Sequence, residues 1–226
     1  MYAEVNGIRL YYEISGDGQP LVMVHGNNED HTIFEEAASI LNKQYQLYLI
    51  DSRDHGQSSK VKTLCYEDMA KDLTDFMELL DLRDVIYYGF SDGGILGLLC
   101  AMRTDRIAEL LISGANITPE GIIWPLRVWM KLMYFFHRDA KLRLMLKEPH
   151  ISSDDLKKIR IPVSVIAGER DVIAAKETKA IADHLLKAHL RIIPKVGHGS
   201  YIVHKKEIAD IILDEIRCWH DWKEAE

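Results

Sequence analysis

The feature that most constrains this chain is a rhythm in which short apolar-rich runs alternate with segments of helical spacing. The runs at 21–24, 45–50, 85–88, 107–112, 163–167 and 190–193 are too short for helices and read as strands, and the continuous apolarity of 21–24 marks that one as buried on both faces. Between them, residues 66–80 place Met69, Leu73, Phe76 and Leu80 on one helical face, and 91–102, 176–186 and 201–219 read as further helices. Strands separated by helices of this length need crossover connections, which predicts a mostly parallel central sheet with helices on both faces. Asn6-Gly7, set between the runs 2–5 and 8–14, predicts an N-terminal hairpin that adds an antiparallel edge. With 226 residues, one α/β domain spanning 1–226 is the expectation.

One stretch breaks the rhythm. Residues 122–147, IIWPLRVWMKLMYFFHRDAKLRLMLK, carry Trp124, Trp129 and the trio Tyr134, Phe135 and Phe136, with no strand-like piece. One or two amphipathic helices inserted above the sheet, within 118–158, are predicted here. A long ordinary crossover with core aromatics is the alternative.

Charge and targeting signals narrow the function classes. The formal net charge is −7, from 28 basic and 35 acidic residues spread along the chain without a basic block, so nucleic-acid binding is not expected. The N-terminus lacks a basic segment followed by an apolar one, and no stretch approaches an uncharged membrane-spanning length. A soluble cytoplasmic protein without a membrane span is the expectation, its oligomeric state left open. Cys65, Cys100 and Cys218 are odd in number and far apart, which fits a reducing compartment better than a disulfide framework.

The strongest chemical signal is Gly89-Phe90-Ser91-Asp92-Gly93, directly after one strand run and before a helical one. A serine on a sharp strand-to-helix turn presents its hydroxyl outward, and the flanking glycines let neighbouring backbone pass closely. Such a hydroxyl needs a base within hydrogen-bond reach. Of 10 histidines, His198 in Val196-Gly197-His198-Gly199 follows the last strand run and precedes the last helix, which predicts a loop at the C-terminal edge of the sheet. Asp171 follows the run 163–167 in the same way and is the orienting acid, with Glu169 as its local competitor. The chain order Ser91, Asp171, His198 suits this architecture rather than other serine-protease solutions. Acyl transfer also needs donors aimed at the developing oxyanion. The backbone N–H of Asp92, at a helix start, and that of Asn27, in the loop His25-Gly26-Asn27-Asn28, are the candidates. His25 either braces that loop or serves a purely structural turn.

Taken together, the His25-Gly26 loop, Asp51-Ser52-Arg53-Asp54-His55-Gly56-Gln57-Ser58, the elbow from Gly89 to Gly93, Asp171 and His198 resemble the α/β-hydrolase family over nearly the whole chain. The resemblance implies that Asp51, Arg53 and Ser58 brace a turn beside the entrance. Asp54 stands where the family usually has glycine, a change that aspartate tolerates because it can enter the left-handed region. It also implies a short helical cap at 118–158 with an open or shallow acyl site. The Ser-Asp-Gly-Gly continuation resembles members acting on small activated or amino-acid-like esters.

These readings predict a serine hydrolase that cleaves a small or medium carboxylic ester through an acyl-enzyme. A thioesterase, amide or small-peptide hydrolase is one alternative, and a non-catalytic binding protein on the same scaffold is another. A small-molecule acyl substrate is the expected partner, against a wall formed by Phe90, Trp124, Leu126, Trp129, Met130, Met133 and Phe136. The sequence carries no metal or dinucleotide motif, so no metal and no cofactor are expected.

Overall fold

The computed structural model describes residues 1–225, with side-chain burial through residue 221. Its strands are β1 (Tyr2–Val5), β2 (Ile8–Ser15), β3 (Gln19–Val24), β4 (Tyr45–Ile50), β5 (Val85–Phe90), β6 (Ile107–Ser113), β7 (Val163–Arg170) and β8 (Ala188–Gly197). They form one sheet in the order β1-β2-β4-β3-β5-β6-β7-β8. The hairpin β1–β2 joins β4 antiparallel, and every pairing from β4 onward is parallel. Asn6 and Gly7 both have positive φ, as a tight two-residue hairpin turn requires.

The helices are α1 (Glu35–Leu41), α2 (Tyr66–Leu79), α3 (Asp92–Ala101), α4 (Trp124–His137), α5 (Ala140–Lys147), α6 (Ser153–Leu156), α7 (Ala175–His184) and α8 (Glu207–Ala225). Successive strand residues point to opposite faces, so β3 sends Val22 and Val24 to one core and Leu21 and Met23 to the other. The first core takes in α2, α3 and Ile181 of α7. The second is closed by α1 and α8. Burial on both faces explains the continuous apolar runs of β3 and β5, whereas β8, at the sheet edge, has no fully buried residue and leaves Leu190 and Ile192 38% and 45% exposed.

Several boundaries differ from the sequence expectation. The last helix starts at Glu207 rather than at 201, because His204 adopts φ 51 and stops any helix there; Tyr201 and Ile202 are buried in the preceding turns. The last two strands outrun their apolar cores to reach Arg170 and Gly197, which carries the chain to Asp171 and His198. Helix α1 was not anticipated, since its seven residues are too few to display a period. Asp54 does take the left-handed conformation, at φ 64, so the turn after β4 persists without its glycine.

Candidate active site

The elbow is fixed by backbone geometry. Ser91 sits at φ 51 and ψ −114, a conformation rare for a residue with a side chain, between the end of β5 and the start of α3. It is held because its N–H donates to the carbonyl of Ser113 at 2.8 Å, tying the turn to β6. A Cβ on Gly89 would lie 2.2 Å from the carbonyl oxygen of Gly93, and one on Gly93 would lie 2.1 Å from that of Val24. Both glycines are therefore demanded by close packing of backbone on backbone.

Three side chains from three strand ends converge. His198 Nε2 is 3.0 Å from Ser91 Oγ, and His198 Nδ1 is 2.7 Å from Asp171 Oδ1. An ionised carboxylate only accepts, so Nδ1 carries the proton and Nε2 is left to accept from the serine hydroxyl. Burial pushes the Asp171 carboxyl up, but the hydrogen bond and charge of His198 and the N–H groups of Ile173 and Gly168 outweigh it and hold the group below the usual range. Glu169, the local competitor, instead accepts from the N–H of Lys195 at 2.7 Å on the exposed sheet edge. Gly114 was missed by sequence reasoning: it has φ +64, and a Cβ there would lie 2.6 Å from His198 Cε1. Its signal was a Ser-Gly pair ending an apolar run.

Beside Ser91, neither the N–H of Asp92 nor that of Asn27 makes a hydrogen bond among the described residues. The Asp92 carboxylate is buried beneath them, accepting from Tyr66 Oη at 2.8 Å and Asn27 Nδ2 at 2.9 Å. Burial raises its pKa against the pull of these two donors. His25 accepts the N–H of Ser52 at Nε2, 3.1 Å away, so its Nδ1 donates to the carbonyl of Gly26 at 2.7 Å. Burial pushes its pKa down to about 4, and the neutral ring ties the loop to the end of β4. Glu29 was not foreseen. Its Oε2 accepts the N–H of Gly26 at 3.0 Å, and burial pushes the group up to about 6.

The turn after β4 braces this floor. Asp51 accepts the N–H groups of His31 and Gln57, Ser58 donates to the carbonyl of Asp51, and Arg53 holds Asp72 of α2 at 2.5 Å. Among the described residues, Asp30, His31 and Asp51 bring potential metal-ligand atoms within 4.8 Å of one another. These atoms already serve the protein: Asp30 caps the 31–34 turn, and His31 Nδ1 bonds Asp51 at 2.7 Å.

The cavity over Ser91 is a slot of about 20 Å³, narrower than the open site expected from a short insert. Ser91 and His198 form one side, with Tyr66, Asn116, Ile173, Leu126 and Met145 around it. Leu126 and Met145 also border a larger cleft of about 360 Å³, walled by Trp129, Met130, Met133 and Leu142 and rimmed by Asn27 and Asn28. Four of the seven expected wall residues, Leu126, Trp129, Met130 and Met133, are thus brought together. Trp124 and Phe136 are not: they lie on the outward face of α4, 70% and 67% exposed. Phe90 is also displaced from the wall, being buried below His198 with its ring 4.9 Å from the imidazole. Tyr66, Met145 and Ile173 went unrecognised because each looks like an ordinary apolar or aromatic core position in its own segment.

A family model described as the alpha/beta hydrolase fold matches residues 19–143. The chain belongs to the α/β-hydrolase family. It is 25% identical to a putative non-heme chloroperoxidase of Synechocystis, over 92% of this chain and 94% of that protein. Against the human serine hydrolase BPHL the identity is also 25%, over 93% and 84% of the two chains. The Synechocystis alignment runs over 260 positions, more than the 226 residues here, so that relative carries residues this chain lacks. Among solved structures, an enol-lactonase from Burkholderia xenovorans superposes with a TM-score of 0.81 at 20% identity, over 96% of this chain and all of that one. An esterase from Thermogutta terrifontis superposes at 0.78 with 21% identity, over 96% and 98%.

Proposed function

We propose that this α/β-hydrolase is a serine hydrolase cleaving small or medium carboxylic esters through a covalent acyl-enzyme. The observation that carries the reading is the continuous chain Ser91 Oγ, His198 Nε2, His198 Nδ1, Asp171 Oδ1, with links of 3.0 and 2.7 Å. Ser91 Oγ attacks the ester carbonyl while His198 takes its proton. The N–H groups of Asn27 and Asp92 receive the oxyanion, and Asp171 stabilises the imidazolium. As the tetrahedral intermediate collapses, the bond to the alcohol breaks and His198 returns the proton to it. Water then attacks the acyl-enzyme, giving its proton to His198, and the acid departs as Ser91 recovers its hydrogen.

Helices α4 and α5 act as a short cap in this reading. The slot takes the reacting carbonyl, and the cleft beyond Leu126 and Met145 takes an apolar acyl or alcohol portion. Initial rates on p-nitrophenyl esters of increasing acyl length, for wild type and Ser91→Ala, test it. Turnover by wild type should fall by about 10⁴-fold or more in the variant. Unchanged turnover in Ser91→Ala overturns the nucleophile assignment. No wild-type turnover across the series moves the reading to thioesters, amides or binding alone.

A further inference from the structure

Helix α4 is unusual in being apolar on the side that faces away from the protein. Trp124, Val128, Leu132 and Phe136 follow one another at four-residue steps, with Phe135 in the same stripe, and all are exposed by 46–70%. The inner side is occupied separately, by Leu126, Met130 and Met133 against the cleft. An exposed aromatic and aliphatic stripe of this extent marks a contact surface rather than scattered surface hydrophobics.

Charge identifies what it contacts. Over the whole chain the charges are spread and sum to −7, yet residues 124–147 hold six lysines and arginines against one acid, Asp139. Arg127 and Lys131 flank the stripe at helical spacing, and Arg138 lies over the rings of Tyr134 and Phe135 at 5.6 and 5.8 Å. Arg127 also reaches Glu120 at 3.5 Å. A helix with Trp, Phe and Leu on one face and basic residues along its border has the build of an interfacial helix lying in the headgroup plane. A second copy of an acidic chain fits less well, since two identical basic stripes would face each other at a shared two-fold contact.

We propose that α4 docks this protein peripherally on an anionic lipid surface, with Trp124, Phe135 and Phe136 entering the apolar layer and Lys131 and Arg138 meeting the headgroups. Docking is reversible and needs no membrane span; no helix of the described residues is long and apolar enough to cross one. The stripe adjoins the cleft mouth, because Trp129 is 54% exposed and also lines the cleft. On the reading of the protein as an ester hydrolase, docking presents lipid-phase esters to that mouth, but the docking itself does not depend on that chemistry.

The test uses the full chain carrying Ser91→Ala, so that vesicles survive the assay. It is floated with vesicles of phosphatidylcholine alone and of phosphatidylcholine with phosphatidylglycerol. Binding to the anionic vesicles, weakened by salt and accompanied by a blue shift of tryptophan emission, is expected. Adding Trp124→Ser, Phe135→Ser and Phe136→Ser should weaken it by about tenfold or more. Lys131→Glu with Arg138→Glu should weaken it by at least about fivefold per charge on anionic vesicles only. Absence of binding to both compositions overturns the proposal, as does binding that the triple serine variant retains. A chain that sediments as a dimer, becomes a monomer on the triple substitution and ignores vesicles also overturns it, by assigning the stripe to a second copy. Turnover of a soluble p-nitrophenyl ester by the triple variant, with Ser91 intact, should match wild type. Docking without turnover, or turnover without docking, would thus separate a failure of the hydrolase reading from a failure of this one.

Discussion

The floor and the roof of the candidate site are built on opposite terms. The floor is backbone: around Ser91, the glycines Gly89, Gly93 and Gly114 sit within contact distances that leave no room for a methyl group, and the strands β5 and β6 beneath them are buried on both faces. The roof, α4 and α5, is side chain. It is joined to the body by the bridge Ile122–Ile173, the N–H of Ile123 on the carbonyl of Val172, a small cluster around Met130, and Leu144 of α5, which is buried in the first core. At its root, Glu177 of α7 accepts the N–H groups of Ile117 and Thr118, and at its exit Glu148 accepts that of Tyr66. The difference teaches that geometry for bond-making is stored where substitution is costly. Selectivity is stored where the packing is thin and residues can change without unfolding the sheet.

If that division is right, adding one carbon to the floor should injure chemistry more than removing several from the roof. Gly114→Ala places a methyl within 2.6 Å of His198 Cε1 at a residue with φ +64, so the imidazole must swing away from Ser91. A turnover loss of about 10²-fold is expected from the misplaced base, with an unfolding cost of about 1–2 kcal/mol from the backbone conformation. Ester kinetics beside urea unfolding check it, and a Gly114→Ala enzyme of wild-type turnover would break the comparison. Met145→Ala removes a partly exposed side chain between slot and cleft. Its predicted effect is a several-fold shift of preference toward longer acyl chains, with a stability loss below the roughly 2–5 kcal/mol of a fully buried methionine. An unchanged acyl-length profile would mean that slot and cleft are not used as one site.

The same division explains what could be read from the sequence. The floor was legible because it consists of local grammar: a glycine-bracketed serine between a strand and a helix, and Asp171 and His198 in loops after apolar runs. The left-handed turn at Asp54 was legible for the same reason. Gly114 and Glu29 were not, since their roles arise from contacts with residues far along the chain, His198 for the one and the burying surroundings for the other. In the roof, the helical period located α4, but a helix with apolar residues on two of its faces does not say which of them faces in. Trp124 and Phe136 were therefore assigned inward although the four-residue steps that join them point to solvent. Met145 and Tyr66 reach the slot through tertiary packing that no local pattern announces.

The smallest effect expected is also the one that sharpens the comparison, because it finds a cost inside the well-packed floor. Burial pushes Glu29 up to about 6 from an ordinary 4.5, against the N–H of Gly26. The folded state thus holds this proton more tightly than the unfolded chain, and ionising the group opposes folding. That penalty is fully present above pH 6 and fades as pH falls through 6 toward 4.5. Glutamine keeps an oxygen for the Gly26 N–H and has no proton to lose. Glu29→Gln should therefore be more stable than wild type by about 1 kcal/mol at pH 8, after allowance for partial solvent screening, and indistinguishable from it near pH 4.5. Urea midpoints at the two pH values measure the difference. A gain that is equal at both would trace it to packing instead of charge, and the floor would then carry no electrostatic cost at this position.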